Sequence, residues 1–181
     1  MIQIRFGLEQ NLNVSIYTKS EYNNEQMKQI RQGLESKVDV SLYANPEFTY
    51  WQMEQIKRGL EQNLDVSWYA KPEYTWEQMN QIRQGLQNNV EVSLYANLEF
   101  NEWQMELIRL GLERNIDVSI YAKPEYNWAQ MREIRCGLES KIDYTIYANS
   151  GFDRGQMYEI RVGLEEGLDV SCYATLEFEY R

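Results

Sequence analysis

Phe48-Thr-Tyr-Trp-Gln-Met-Glu-Gln-Ile-Lys-Arg-Gly-Leu-Glu-Gln-Asn-Leu-Asp-Val-Ser-Trp-Tyr-Ala-Lys-Pro-Glu73 is one of seven copies of a 26-residue unit. Together the copies account for all 181 residues. A glycine keeps the beat at Gly7, Gly33, Gly59, Gly85, Gly111, Gly137 and Gly163, each followed by leucine. Methionine keeps it from Met1 through Met27 and Met53 to Met157. A strict period of this length is the signature of a solenoid, in which each unit packs mainly on its neighbours.

Within the unit, Thr49 followed three residues later by Gln52 is a capping box. The hydroxyl accepts from the third helical N–H and the glutamine reaches back to the cap. The pairs Asn23/Gln26, Thr75/Gln78, Asn101/Gln104, Asn127/Gln130 and Asp153/Gln156 repeat it. Phe48 before the cap and Met53 after it have the spacing of a hydrophobic staple. A helix is therefore expected from about Tyr50 to Gln62, with Met53, Ile56 and Leu60 on one buried face. Asn63 stands where a left-handed residue closes a helix, as do Asn11, Asn89, Asn115 and Gly167. Asp65 then reads as a second N-cap. A short second helix, Val66 to Ala70, would end before Pro72, because proline disfavours helical geometry in the residue before it.

The fold class expected is all-α: a right-handed α-solenoid of seven helix–turn–helix repeats, with residues 1–181 as one elongated domain and the first copy truncated. A rival reading exists. Leu64, Val66 and Trp68 alternate with Asp65, Ser67 and Tyr69, as in a strand. That would give a β/α, leucine-rich-repeat-like horseshoe. A second alternation overlies the first: Lys19, Asn45, Lys71, Asn97, Lys123, Asn149, in step with Tyr22, Phe48, Tyr74, Phe100, Tyr126, Phe152. Either a double unit of two repeats was duplicated, or odd and even repeats face different surroundings.

Composition narrows function. The chain has 28 acidic and 18 basic residues, a net charge of −10. That balance repels phosphate backbones and favours basic partners or imitation of a nucleic acid. The chain has no histidine, so the usual general base and commonest metal ligand are missing. There is no phosphate-cradling loop or nucleophile elbow. The expectation is a non-enzyme without cofactor or metal. No apolar run is long enough to span a bilayer and no signal-peptide pattern is present. Cys136 and Cys172 sit at different repeat positions, which suits a reducing cytoplasm.

Residues invariant along an array serve the fold first. The glycine is expected to admit a neighbouring helix. The basic ladder from Arg5, Arg31 and Lys57 to Arg161 is expected on a solvated face or in inter-repeat ion pairs. The tyrosine ladder from Tyr17 to Tyr173 is expected in inter-repeat packing with its hydroxyls at the surface. Trp68 is expected in the core. Residues that vary along the array can serve a partner. Tyr50, Trp51, Trp76, Trp103 and Trp128 follow the central caps, while Asn24, Glu25, Arg154 and Gly155 stand there in outer copies. With Glu47, Glu73, Glu99 and Glu125, and with Glu77 and Glu102 nearby, they form a candidate partner-binding ridge. Such a ridge suits a basic or amphipathic protein surface. The alternative is that the aromatics fill gaps between repeats.

The run Gln52-Met53, Ile56, Gly59-Leu60-Glu61, Asp65-Val66-Ser67, Tyr69-Ala70, Pro72-Glu73 resembles a short repeat in uncharacterised proteins of gut bacteria and their phages. The resemblance covers the whole chain and implies a helical repeat fold, with no activity attached. The sixth copy departs from it at Tyr144-Thr145 and Ser150-Gly151. Three functions follow as expectations: a protein-binding module; an acidic nucleic-acid mimic such as a phage inhibitor of a bacterial defence nuclease; or a self-assembling structural protein. The terminal copies keep their apolar pattern, at Ile4, Leu8, Leu12 and Ile16 and at Leu164, Leu168, Val170 and Tyr173. Phe178-Glu179-Tyr180-Arg181 reads as a further cap. A homodimer through the terminal repeats is expected, because an uncovered stacking face is unfavourable.

Overall fold

The computed structural model describes residues 2–176, and among them every regular element is helical. Met1 and the cap expected at Phe178-Glu179-Tyr180-Arg181 lie outside the described residues. The chain divides into two compact units, Met1–Val92 and Ser93–Arg181. The first holds α1 (Ile2–Glu9), α2 (Asn24–Glu35), α3 (Tyr50–Glu61) and α4 (Trp76–Gln87). The second holds α5 (Glu102–Glu113), α6 (Trp128–Ser140) and α7 (Arg154–Glu165). In the first unit α1 packs on α2, α2 on α3 and α3 on α4; in the second α5 packs on α6 and α6 on α7. Each unit is a stack of one motif, so the fold is all-α and of the α-solenoid class. The β/α horseshoe is overturned, since the described residues contain no strand.

All six expected capping boxes form. The glutamine does more than cap. Gln52 Oε1 accepts from Thr49 N–H at 2.7 Å. Its Nε2 donates to the carbonyls of Pro72, at the end of the same repeat, and of Tyr74, which opens the next, at 3.0 and 2.6 Å. Gln26 and Gln130 do the same toward Pro46 and Phe48, and toward Ser150 and Phe152. One buried amide thus fixes the helix start and ties it to the following repeat. At the other end, Leu64 N–H donates to Gly59 O and Asn63 N–H to Leu60 O, the paired bonds of a Schellman motif. Asn63 is left-handed, as are Asn11, Asn89, Asn115 and Gly167. Lys37 and Lys141 also take this conformation, although lysine carries no sequence signal for it.

The second helix is shorter than expected. Val66–Trp68 is a single 3-10 turn, and its counterparts are Val14–Ile16, Val40–Leu42, Val92–Leu94, Val118–Ile120 and Tyr144–Ile146. Asp65 caps it by accepting from Ser67 N–H at 3.1 Å. Tyr69 then leaves helical geometry, at φ −135°, because its ring turns inward onto Gly59. Proline does not set the stop, since copies without it stop at the same place. With three residues per turn, Val66 and Tyr69 share the inner side and Trp68 points outward. Trp68 is exposed, not core.

From Tyr17 to Tyr147 the repeated tyrosines are fully buried, and their hydroxyls are not at the surface. Tyr69 donates to Gln55 O at 3.3 Å, and Tyr17, Tyr43, Tyr121 and Tyr147 make the equivalent bond fourteen residues back. Burial pushes the phenols of Tyr43, Tyr69, Tyr121 and Tyr147 well above their ordinary range, so they keep the proton they donate. The glycine admits this tyrosine of its own repeat rather than a neighbouring helix. A Cβ on Gly59 would overlap the Tyr69 hydroxyl and lie 3.0 Å from Val66 Cγ1.

Of the two readings of the basic ladder, the solvated face is overturned, since the ladder is largely buried, and contact across repeats is what forms, as an ion pair at Arg161–Glu133 and elsewhere as hydrogen bonds to glutamine. Arg31 Nε donates to Gln3 Oε1 at 2.9 Å. Arg83 Nε donates to Gln55 Oε1 at 3.1 Å, and Arg161 Nε to Glu133 Oε2 at 3.0 Å. The side chains of Arg31, Arg109, Arg135 and Arg161 pair with the glutamate four residues on. Among the described residues two buried side-chain polar atoms are left without a partner, Gln29 Oε1 and Arg135 Nε. Both mark a mismatch in this ladder. Opposite Gln29 stands Lys57, which has no Nε and donates to Gln32 instead. Opposite Arg135 stands Leu107, whose side chain has no acceptor. Lys57→Arg is therefore expected to raise stability by about 1 kcal/mol. A higher urea midpoint at unchanged slope would register it, and no change would break the ladder rule.

The alternation of odd and even copies has a bonding cause. Tyr22 and Tyr126, which open their repeats, donate to Ala44 O and Ala148 O near the end of the same repeats, just before Asn45 and Asn149. Lys71 and Lys123 instead stand over the rings of Tyr74 and Tyr126, which open the following repeats.

Candidate functional site

The residues that vary along the array come to the surface at the helix N-termini. In the first unit Tyr50 and Trp51 occupy the first two positions of α3, and Trp76 opens α4. The Tyr50 and Trp51 rings lie 4.4 Å apart, and Trp51 and Trp76 meet at 5.8 Å across the repeat boundary. The three rings form one tilted stack. Tyr50 is half-buried, while Trp51 and Trp76 remain 45% and 37% exposed. These rings bridge repeats and still offer their faces to solvent, so gap-filling accounts for part of their surface at most. Beside them a shallow hollow of about 340 Å³ is lined by Glu47, Thr49, Gln52, Glu73, Tyr74 and Trp76 among others. Glu47 and Glu73 are both exposed. The Asn45 side chain holds Glu47 by donating to its carboxylate at 3.2 Å and accepting its N–H at 3.1 Å.

In the second unit Trp103 takes the second position of α5 and Trp128 the first of α6. Both are exposed, Trp103 the most of the four at 57%. Glu99 and Glu125 are exposed as well, and Asn97 holds Glu99 as Asn45 holds Glu47. The structure thus gathers Tyr50, Trp51, Trp76, Glu47 and Glu73 in one place. It sets Trp103, Trp128, Glu99 and Glu125 at equivalent positions on α5, α6 and the loops before them.

The chemistry of such a surface is recognition. The aromatic faces are electron-rich and attract cations. The neighbouring carboxylates add charge of the same preference. At each of these helix starts the cap side chain already accepts from one or two of the backbone N–H groups. Among the described residues no group of three His, Cys, Asp or Glu side chains is placed to hold a metal. No helix there is long and apolar enough to cross a membrane.

Comparison with known proteins gives no relative. No family model matches the chain, no curated protein matches it, and no solved structure matches it.

Proposed function

We propose that this chain is a non-enzymatic, cytoplasmic protein-binding module. Its aromatic–acidic ridge takes a partner segment that carries lysine or arginine beside apolar side chains. The observation that supports this most is the contrast between the ladders. The repeated tyrosines, methionines and glycines are consumed by the interior, whereas the tryptophans confined to central copies are exposed. Clustered exposed tryptophans are the usual anchors of protein interfaces.

The test compares the intact chain with the W51A/W76A/W103A/W128A variant, each immobilised and exposed to bacterial lysate. The partner is expected to bind the variant at least about ten-fold more weakly. The thermal midpoint is expected to fall by only a few degrees. Equal retention by both proteins, or a variant that no longer folds, would refute the ridge.

The net charge of −10 favours a second reading, an acidic mimic that occupies a nucleic-acid-binding protein, as a phage inhibitor of a defence nuclease would. That partner would be released by salt, because the contact is electrostatic. It would also be indifferent to the tryptophan changes. A third element of the proposal is self-association through the terminal repeats into a homodimer.

A further inference from the structure

Helix α1 presents to solvent the side chains that later helices cover. The side chain of Arg5 is 70% exposed, against 13% for its equivalent Arg161. Ile4 is half-buried where Ile30, Ile56, Ile82, Ile108 and Ile134 are fully enclosed. Leu8 is exposed where Leu34, Leu60 and Leu86 are not. Ile2, Ile4, Arg5 and Leu8 line an open hollow of about 370 Å³. Helix α7 is the complement. Its Glu159 is exposed, whereas Gln3, Gln29, Gln55, Leu107 and Glu133 at the same repeat position are buried by the helix that follows. Beside Glu159 a shallow hollow is lined by Gly155 and Tyr158.

We propose that α7 of one copy stacks on α1 of a second copy in the register the interior repeats use. This rests on the self-association reading above and assigns its mates; a dimer joined this way is head-to-tail, and its free α1 and α7 can each take a further copy. Charge complementarity argues for it. The α6–α7 junction pairs Glu133 with Arg161, and the same register pairs Glu159 with Arg5 of the second copy. The covered apolar residues would be Ile4 and Leu8. One contact opposes the register. Interior junctions place Ser36 on Glu61 and Ser140 on Glu165, at 2.8 and 2.7 Å. The new junction would face Glu166 with Glu9, two acids. Glu166→Ser is therefore expected to tighten association, since it recreates the interior pair.

The experiment is sedimentation velocity of the 181-residue chain between about 1 and 300 µM. Size should grow with concentration. R5E and E159R should each weaken association roughly ten-fold, because each places like charges in contact. An equimolar mixture of R5E and E159R should associate again, since Glu159 of the first then meets Arg5 of the second and the two exchanged side chains also meet with opposite charge. E166S should associate several-fold more tightly than the parent chain. A monomer throughout would overturn self-association and this register together. Association that ignores E159R, or that the mixture fails to restore, would leave self-association standing and overturn the α7-on-α1 register.

Discussion

Gly59→Ala is expected to lower stability by about 2–4 kcal/mol. Intrinsic propensity argues the opposite way. Gly59 lies inside α3, and alanine in a helix interior is favoured over glycine by about 1 kcal/mol. The added methyl, however, would overlap the Tyr69 hydroxyl and press on Val66 Cγ1 at 3.0 Å. Neither can yield cheaply. Tyr69 is fully enclosed, and its hydroxyl is held by Gln55 O. Urea denaturation measures the loss, and the double variant locates its cause. Tyr69→Phe alone should cost about 1 kcal/mol for the lost hydrogen bond. In G59A/Y69F the ring carbon nearest the new methyl stands at 3.2 Å, so much of the clash is relieved. The double variant should then be more stable than G59A alone, a sign reversal that additive effects do not produce. A G59A protein as stable as the parent would remove the steric account of the glycine period.

What is legible in the sequence depends on where each cause lies. Helix starts are legible because a capping box is closed by residues three apart, and all six boxes form. The left-handed stop is legible at Asn63, where the side chain tolerates it. It is hidden at Lys37 and Lys141, where the two Schellman bonds impose it on a residue with no such preference. The turn at Val66–Trp68 reads as a longer helix because Asp65 gives the same signal for either. What ends it is the burial of Tyr69 on Gly59, a contact between different elements. The same cause exposes Trp68. The basic ladder reads equally as solvated or as paired between repeats, because spacing along one helix shows Arg31 beside Glu35 and conceals Gln3, a repeat away. For the ridge, the varying tryptophans mark the surface correctly. That Trp51 meets Trp76, one at the second helical position and one at the first, depends on how α3 and α4 pack.

Gln52→Glu should be a costly change, although glutamate is as good as glutamine in an isolated capping box. Three bonds decide it. The carboxylate can still accept from Thr49 N–H. It cannot donate to the carbonyls of Pro72 and Tyr74, which now receive from Nε2 at 3.0 and 2.6 Å. A buried negative charge would instead face two carbonyl oxygens. The expected loss at neutral pH is about 3–5 kcal/mol. Acid should lessen it. The protonated form is favoured in this setting, because burial and the carbonyls both disfavour the charge. The folded pKa of the introduced glutamate therefore lies above its unfolded value of about 4.3. A group shifted upward keeps its stability below the unfolded pKa and loses it as pH rises through the folded one. The gap between Q52E and the parent chain should thus be smallest near pH 4 and should widen toward pH 7. Gln52→Ala, which removes both functions and adds no charge, should show a gap that hardly depends on pH. Equal pH dependence in Q52E and Q52A would mean that the amide caps its own helix without tying it to the next repeat. The use of glutamine at all six box positions, in a chain otherwise rich in glutamate, would then lose its physical explanation.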